Sequence, residues 1–299
     1  MKADVHAVVV RWRGGDEVAA CVTSLLSHGG SRLAGVTVVD SGSGDGGAER
    51  LAADFPEINV LPLEDNLGFA HAANCGAAEA REDLLLLLNP DTEVLPGSLE
   101  ELAEGLDDRD RAGTVPLLEG YDGRSQHRWQ LRRFPSVVRL ATGRSGGPAF
   151  ATPPDEDCIV AQPAAAAWLV RREVRDALNG FDEAYAPARW EHVDFCLRLE
   201  HHHGIGDFPA PNGFTVRPQA RVLHHGGSSL AWLGNEAFLT AYHRNLVRLV
   251  KSHHSHLAPG ILGALRLTLG IKAITRPSRR RAYLAALIVV SNRDGSTNP

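Results

Sequence analysis

The chain has 299 residues, 43% hydrophobic and 22% charged, a balance that supports a packed core and excludes a disordered chain. With 31 Lys and Arg against 36 Asp and Glu it carries a net charge of −5, which argues against a nucleic-acid-binding protein. The charge is uneven: residues 257–299 hold seven cations and one carboxylate, net +6, leaving −11 on residues 1–256. A basic, partly apolar tail on an acidic body fits an anionic partner such as a membrane surface. Cys21, Cys75, Cys158 and Cys196 are scattered without metal spacing, the pattern expected in a reducing compartment. The first residues lack the apolar stretch of a signal peptide. No run reaches about 18 apolar residues, so no spanning helix and a cytoplasmic site are expected.

Residues 5–10 read as an apolar strand and 16–27 as a helix after a Gly-Gly turn. Strand 36–39 ends in Asp40, and Asp45 is placed to cap a helix over 45–54. A third strand (59–63), an Ala-rich helix (69–80) and a strand of leucines (84–88) follow. A helix (98–106) and a short strand (112–115) complete the first half. This alternation implies βαβ units and a parallel sheet covered on both faces, with ligands beyond the carboxyl ends of the strands. In the second half, residues 143–157 are rich in Gly and Pro and read as a loop. Residues 191–202 and 234–256 have helical periodicity.

Two strand ends carry acid. Asp40-Ser-Gly-Ser43 closes one strand, where a carboxylate can accept from a pyrimidine or ribose and small residues let a nucleotide approach. After Leu84–Leu88, Asn89-Pro90-Asp91 ends the ladder abruptly because proline cannot continue it. Asp91 thus stands at a strand tip, where a hard oxygen can hold Mg²⁺ or Mn²⁺ against a diphosphate. In Trp190-Glu-His-Val-Asp194, Glu191 and Asp194 share a helix face and His192 points about 100° away; carboxylates or His at a helix start suit general-base work. Of the His pair 224–225, one imidazole is placed to face a cleft, whereas His201-His202-His203 reads as helix-end histidines. Each segment also has a plain structural reading as turn, cap or surface loop.

Taken in order, strand–Asp40, Asn66-Leu-Gly68-Phe69 with Asn74 and Gly76, Asn89-Pro-Asp-Thr-Glu93, Gly180-Phe-Asp-Glu183, Trp190-Glu-His-Val-Asp194 and His224 resemble family 2 glycosyltransferases of the GT-A fold. The resemblance runs over roughly residues 5–255 and is nearest to the rhamnosyltransferase-like branch. Residues 126–135, with Arg132 and Arg133, resemble a basic stretch carried by these proteins. The resemblance implies an α/β fold, a mostly parallel Rossmann-like sheet flanked by helices, with a helical C-terminal extension. It divides the chain into a glycosyltransferase domain (1–230; nucleotide-sugar half about 1–115, acceptor half about 116–230) and a basic extension (231–299).

It also implies roles. Arg11, Asp40, Ser43, Asn66, Gly68, Phe69, Asn74, Asn89 and Asp91 would bind the nucleotide sugar. Asp91 and His224 would hold a divalent cation, Mg²⁺ or Mn²⁺. His192, Glu191 and Asp194 would form the catalytic group. The first strand ends in Arg11-Trp12-Arg13 where the family has a sequence like Asn-Tyr-Asn, so two cations either pair with phosphate or close the pocket. His192 replaces the usual Asp, and Ser41 and Gly47 stand at positions often Asn and Ser. The implied activity is inverting, metal-dependent sugar transfer from a dTDP- or UDP-linked donor, rhamnose or a similar deoxysugar, to an acceptor glycan that is lipid-linked or a small molecule. Peripheral contact with the inner membrane face through residues 257–281 is expected, and no nucleic acid. A catalytically inactive binding homologue and a nucleotidyltransferase stay open as alternatives.

Overall fold

The computed structural model describes residues 5–106, 111–202, 213–226 and 234–292; His203 and Arg293 lie outside them. The first half comprises β1 (Val5–Arg11), α1 (Asp16–His28), β2 (Leu33–Ser41), α2 (Gly47–Asp54), β3 (Asn59–Leu63), α3 (Phe69–Glu79), β4 (Leu84–Leu88), β5 (Thr92–Val94), α4 (Ser98–Glu104) and β6 (Gly113–Glu119). Then come α5 (His127–Gln130), β7 (Leu131–Arg132), α6 (Val137–Ala141), β8 (Cys158–Val160), β9 (Gln162–Pro163), β10 (Ala167–Arg171) and α7 (Arg172–Ala177). The chain continues with α8 (Glu191–His201), β11 (Phe214–His224), α9 (Asn235–His253), α10 (Ala258–Thr275) and α11 (Arg280–Ser291).

Nine strands form the main sheet in the order β3-β2-β1-β4-β10-β6-β11-β5, with β8 beside β11. Six of them run in one direction, since β3, β2, β1 and β4 pair in parallel and β6 pairs in parallel with β11. The purely parallel sheet implied by the alternating pattern is corrected at β10, which lies antiparallel to both β4 and β6. The reason is local: Ala166 accepts a hydrogen bond from the Asn89 N–H (2.9 Å), so the chain enters β10 at the level where β4 ends and must run back down. The five leucines of β4 are all buried, as a strand covered on both faces requires.

One face of the sheet packs on α1 and α4 through residues such as Cys21, Leu25, Leu99 and Leu102. The other packs on α3 and α8 around Trp168, whose ring is tilted against Phe181, Phe195 and Phe214. Gly76 lets α3 come close: a Cβ there would collide with Val8 and Val39. A third core joins α6 and α8 to α9–α11 through Trp190, Val193, Leu246, Leu249 and Leu265.

The expected start of α2 is corrected. The helix begins at Gly47 after a left-handed Gly46, without a side-chain cap; the Asp45 carboxylate instead accepts from the Gly47 N–H (2.9 Å) and from Arg11. Residues 143–157 form no helix or strand. On α10 and α11, Leu267, Ile271, Ile274 and Ile288 are exposed, Ile274 by 82%, and Arg276, Arg279, Arg280 and Arg281 are exposed between them. Among the described residues no helix is long and apolar enough to cross a membrane.

Candidate active site

The carboxyl ends of β1, β2, β4 and β11 open onto one cleft. Val10 and Trp12, Ser41, Asn89-Pro90-Asp91 and His224 stand on its wall, joined by Asn66, Phe69, Trp129, Arg132, Arg189, Glu191 and His192. The turn after β4 is fixed where Thr92 Oγ1 donates to the Asn89 carbonyl (2.7 Å). Asp91 is buried, and its Oδ2 accepts from the Gly226 N–H (3.1 Å). Its Oδ1 lies 3.6 Å from His224 Nε2.

His224 is locked by Gln126. The Gln126 side-chain amide donates to the His224 carbonyl (2.8 Å), and its Oε1 meets the ring Nδ1 at 2.8 Å. That contact puts the ring proton on Nδ1 and leaves the Nε2 lone pair toward Asp91. Burial lowers the His224 pKa, against the pull of Asp91, so the ring is held neutral. His225 is exposed and stacks on Tyr121 instead (3.8 Å).

No cluster of three or more His, Cys, Asp or Glu side chains suited to a metal exists among the described residues. One carboxylate oxygen and one neutral imidazole nitrogen nevertheless fit a divalent cation. Two donors on one ion at about 2.1 Å stand roughly 3 Å apart at a right angle, so a 3.6 Å pair needs only slight closure. Mg²⁺ commonly takes few protein ligands and completes its shell with substrate phosphates and water.

At the first strand tip, Arg11 is buried (1% exposed). It donates to Asp40 Oδ2 (2.6 Å) and to Asp45 (2.8 Å). Asp40 Oδ1 accepts from the backbone N–H of Ser43 (3.1 Å) and from its hydroxyl. Asp40 is therefore saturated from inside the protein, and Arg11 and Ser43 lie behind the cleft wall, not on it. A Cβ on Gly47 would collide with the Arg11 guanidinium, which explains why glycine replaces serine there.

Asn66 Oδ1 accepts from the Ser41 hydroxyl (3.1 Å) and the Gly68 N–H (3.0 Å). Gly68 has φ +102, and a Cβ there would press on the Pro187 carbonyl, which accepts from the Phe69 N–H (2.8 Å). Asn74 does not reach the cleft. It donates to the Phe181 carbonyl and Glu183 (both 2.9 Å) and accepts from the Phe181 N–H (3.0 Å), tying α3 to the Gly-Phe-Asp-Glu segment.

Helix α8 starts after two left-handed residues, Arg189 (φ 81) and Trp190 (φ 78), a conformation that non-glycine residues hold only when their surroundings over-determine it. Glu191 and His192 both face the cleft, with Glu191 Oε1 3.2 Å from His192 Nδ1. Glu191 Oε2 is buried with no hydrogen-bond partner. Asp194, expected in the catalytic group, lies elsewhere: it accepts from Arg198 Nε (2.7 Å), meets His253 Nε2 at 2.7 Å and accepts from the Tyr185 hydroxyl (3.3 Å). Burial alone would raise its pKa, but His253 and Arg198 outweigh that and hold it below the usual carboxylate range.

Four contributors escaped sequence reasoning. Trp129 stacks on His224 (5.1 Å), Gln126 orients it, and Arg189 lines the cleft. Asn245 in α9 donates to the carbonyls of Tyr185 (2.8 Å), Ala188 and Arg189 (both 3.1 Å). The one available signal was an asparagine on the apolar face of α9, beside the buried Leu246 and Leu249.

A mixed sheet with donor groups gathered over its carboxyl edge defines a GT-A glycosyltransferase fold. GalNAc-T7 with UDP, GalNAc and Mn²⁺ superposes with a TM-score of 0.61 at 17% identity, over 82% of this chain and 47% of that one. Mannosyltransferase PcManGT from Pyrobaculum calidifontis, in complex with GDP-Man and Mn²⁺, gives 0.53 at 16% identity over 99% of this chain and 89% of that one. Residues 7–178 match glycosyl transferase family 2, and the chain belongs to that family. An N-acetylglucosaminyl-diphospho-decaprenol L-rhamnosyltransferase of Mycobacterium tuberculosis is 28% identical over 289 residues, 86% of this chain and 89% of that protein. The chain is a family 2 glycosyltransferase of the rhamnosyltransferase-like branch.

The Asp194 contacts give a stability forecast. Asp194→Asn is expected to lower the unfolding free energy by about 2–3 kcal/mol at pH 7, by stripping Arg198 and His253 of a buried partner. Because the folded-state pKa is lowered, this contribution is present above the unfolded value and fades as pH falls through the folded one, below about pH 4. Urea unfolding of both proteins at pH 7 and pH 3.5 checks this; equal midpoints at pH 7 overturn it.

Proposed function

We propose that the protein moves rhamnose or a similar deoxysugar from a dTDP- or UDP-linked donor to an acceptor hydroxyl, with inversion and with Mg²⁺ or Mn²⁺. One observation carries this reading: the Asp91–His224 pair and the Glu191–His192 pair wall the same cleft over the strand ends. The rhamnosyltransferase relative supports the sugar and a lipid-linked acceptor. The nucleotide half would use Ser41, Asn66, Phe69 and Asn89 on the wall, with Asp40 and Gly68 shaping the turns beneath them.

Asp91 and His224 would hold the cation, which when bound supplies charge to stabilise the departing diphosphate. With its Nδ1 proton directed at Glu191, His192 offers a free Nε2 to the acceptor. That nitrogen takes the hydroxyl proton while the acceptor oxygen attacks the anomeric carbon and the bond to the diphosphate oxygen breaks on the opposite face. Glu191 steadies the imidazolium formed. The unpartnered Glu191 Oε2 favours a second reading, in which Glu191 itself takes the proton.

Asp91→Ala is expected to reduce Mn²⁺-dependent sugar transfer or donor hydrolysis more than 100-fold; undiminished turnover of the variant in EDTA defeats the metal role.

The base assignments separate on substitution. His192→Asp should keep substantial activity, and His192→Ala should lose most of it. Near-full turnover of His192→Ala with a dead Glu191→Gln transfers the role to Glu191.

The work is done at the cytoplasmic membrane face, where exposed Leu267, Ile271, Ile274 and Ile288 enter the interface and the neighbouring arginines meet anionic lipid, each contributing about 1 kcal/mol. Flotation should recover the protein with phosphatidylglycerol-containing vesicles and not with neutral ones; equal recovery removes the membrane contact.

A further inference from the structure

Away from the cleft wall, helix α3 carries a chain of three side chains that sugar transfer does not use. Cys75 Sγ lies 3.5 Å from Nε2 of His71, which stands one helical turn back on the same face. The other ring nitrogen of His71, Nδ1, meets Glu183 Oε2 at 2.8 Å. Glu183 Oε1 accepts from the Asn74 side-chain amide (2.9 Å). The Asn74 hydrogen bond, and after it the His71 contacts, outweigh burial and hold the Glu183 carboxyl below its ordinary range. An ionised carboxylate on Nδ1 keeps the ring proton there, which leaves the Nε2 lone pair to accept from the Cys75 S–H. The order is therefore thiol, imidazole, carboxylate. A shared metal ion does not suit it, because the thiol and the carboxylate address opposite nitrogens of one ring and do not converge.

The other cysteines lack this arrangement. Cys21 and Cys196 are buried; burial pushes the Cys21 thiol up to about 12 and the Cys196 thiol well above its ordinary value. Cys158 is partly exposed like Cys75, but burial and the Asp157 charge push its thiol up, and among the described residues it has no imidazole partner. The Cys75 thiol is also pushed up, by burial and then by Glu183 and Glu79. It is stored as the protonated thiol and needs a base to react. That base is in place.

We propose that Cys75 is a thiol-modification site whose substrate is a low-molecular-weight disulfide, with His71 as the base and Glu183 as its positioning residue. The sulfur attacks one sulfur of the disulfide while its proton passes to His71 Nε2. A bond forms between Cys75 Sγ and that sulfur, the disulfide bond breaks, and the departing thiolate takes the proton back from the imidazolium. One thiol and one disulfide are consumed and one of each is formed, so no further oxidant enters. Glu183 steadies the imidazolium in between. Acyl transfer gains nothing here, because Cys75 sits past the first turn of α3, where the helix already uses the backbone N–H groups that an oxyanion would need. Glu183 is half exposed and His71 and Cys75 are partly exposed, which admits a small disulfide without a cavity. The site is independent of the transfer reading.

The test is reaction of the full native chain with 4,4′-dithiodipyridine at pH 7, following pyridinethione release by stopped flow and locating the adduct by peptide mass mapping. The first equivalent should land on Cys75, ahead of Cys158, and should be missing from Cys75→Ser. His71→Gln should slow that step about tenfold or more. Glu183→Gln separates a relay from a simple field effect. Loss of a nearby negative charge speeds a thiol that reacts unaided, but it slows one whose base depends on that carboxylate, so slowing is expected. Cys21 and Cys196 stay unreactive in a folded variant; where a substitution exposes them, the order of Cys75 and Cys158 in the wild type decides. Modification of Cys158 before Cys75, an unchanged rate in folded His71→Gln, or a faster one in folded Glu183→Gln overturns the proposal.

Discussion

Three parallel strands that stop at one level form the edge on which the cleft is built. In register, Arg11 of β1 stands beside Asp40 of β2, and Val9 beside Leu88 of β4, so the residues that follow each strand surface on the same edge. Parallel pairing needs long crossovers, and here those crossovers are α1, α2 and α3, which bury the sheet and force every polar tip upward. His224 joins them because β11 runs in the same direction as β6. Asp91 and His224 thus come from segments far apart in sequence that are set side by side where β5 pairs with β11, Thr92 lying opposite His224.

The Arg11 side chain shows how a departure from the family pattern is absorbed. A guanidinium at that strand tip needs two carboxylates and space. Asp40 and Asp45 supply the first, and Gly47 the second. Neither of the alternatives offered by the sequence, pairing with phosphate or closing the pocket, describes the outcome; the arginine is an internal strut, and Trp12 takes the place on the wall. The same strut occupies Asp40, the carboxylate expected to meet the base, whereas Asp91 at the tip of β4 stands on the cleft wall.

How far the sequence could be read follows from the range of each interaction. Five leucines closed by Asn-Pro-Asp announce a buried strand with an acidic tip, because periodicity and proline act locally. Helix-face arithmetic failed at α8. It grouped Glu191 with Asp194, yet Glu191 shares the cleft with His192, since direction at a first helical residue is set by the left-handed Trp190 before it. Asn74 was misplaced for a different reason: its partners lie more than a hundred residues away, beyond any spacing rule. Antiparallel β10 and the meeting of Arg132 and Arg189 on the cleft wall were equally illegible, for both depend on how the second half folds back across the first.

The C-terminal helices belong to this logic and are not an accessory. The loop that delivers Arg189, Trp190 and Glu191 holds two non-glycine residues at positive φ, each costing on the order of 1–3 kcal/mol. Asn245 meets that cost with one amide donating to three of the loop's carbonyls, and Arg244 secures a fourth at Ala186 (2.6 Å). His253, a little more than two turns further along the same helix, holds Asp194. Helix α9 therefore grips the segment leading into α8 at both its entry and its first turn, while α10 and α11, packed against it, carry the exposed apolar face and the arginines. Through α9 those outer helices are packed into one core with the loop that lines the cleft, so the extension and the cleft wall are parts of one body.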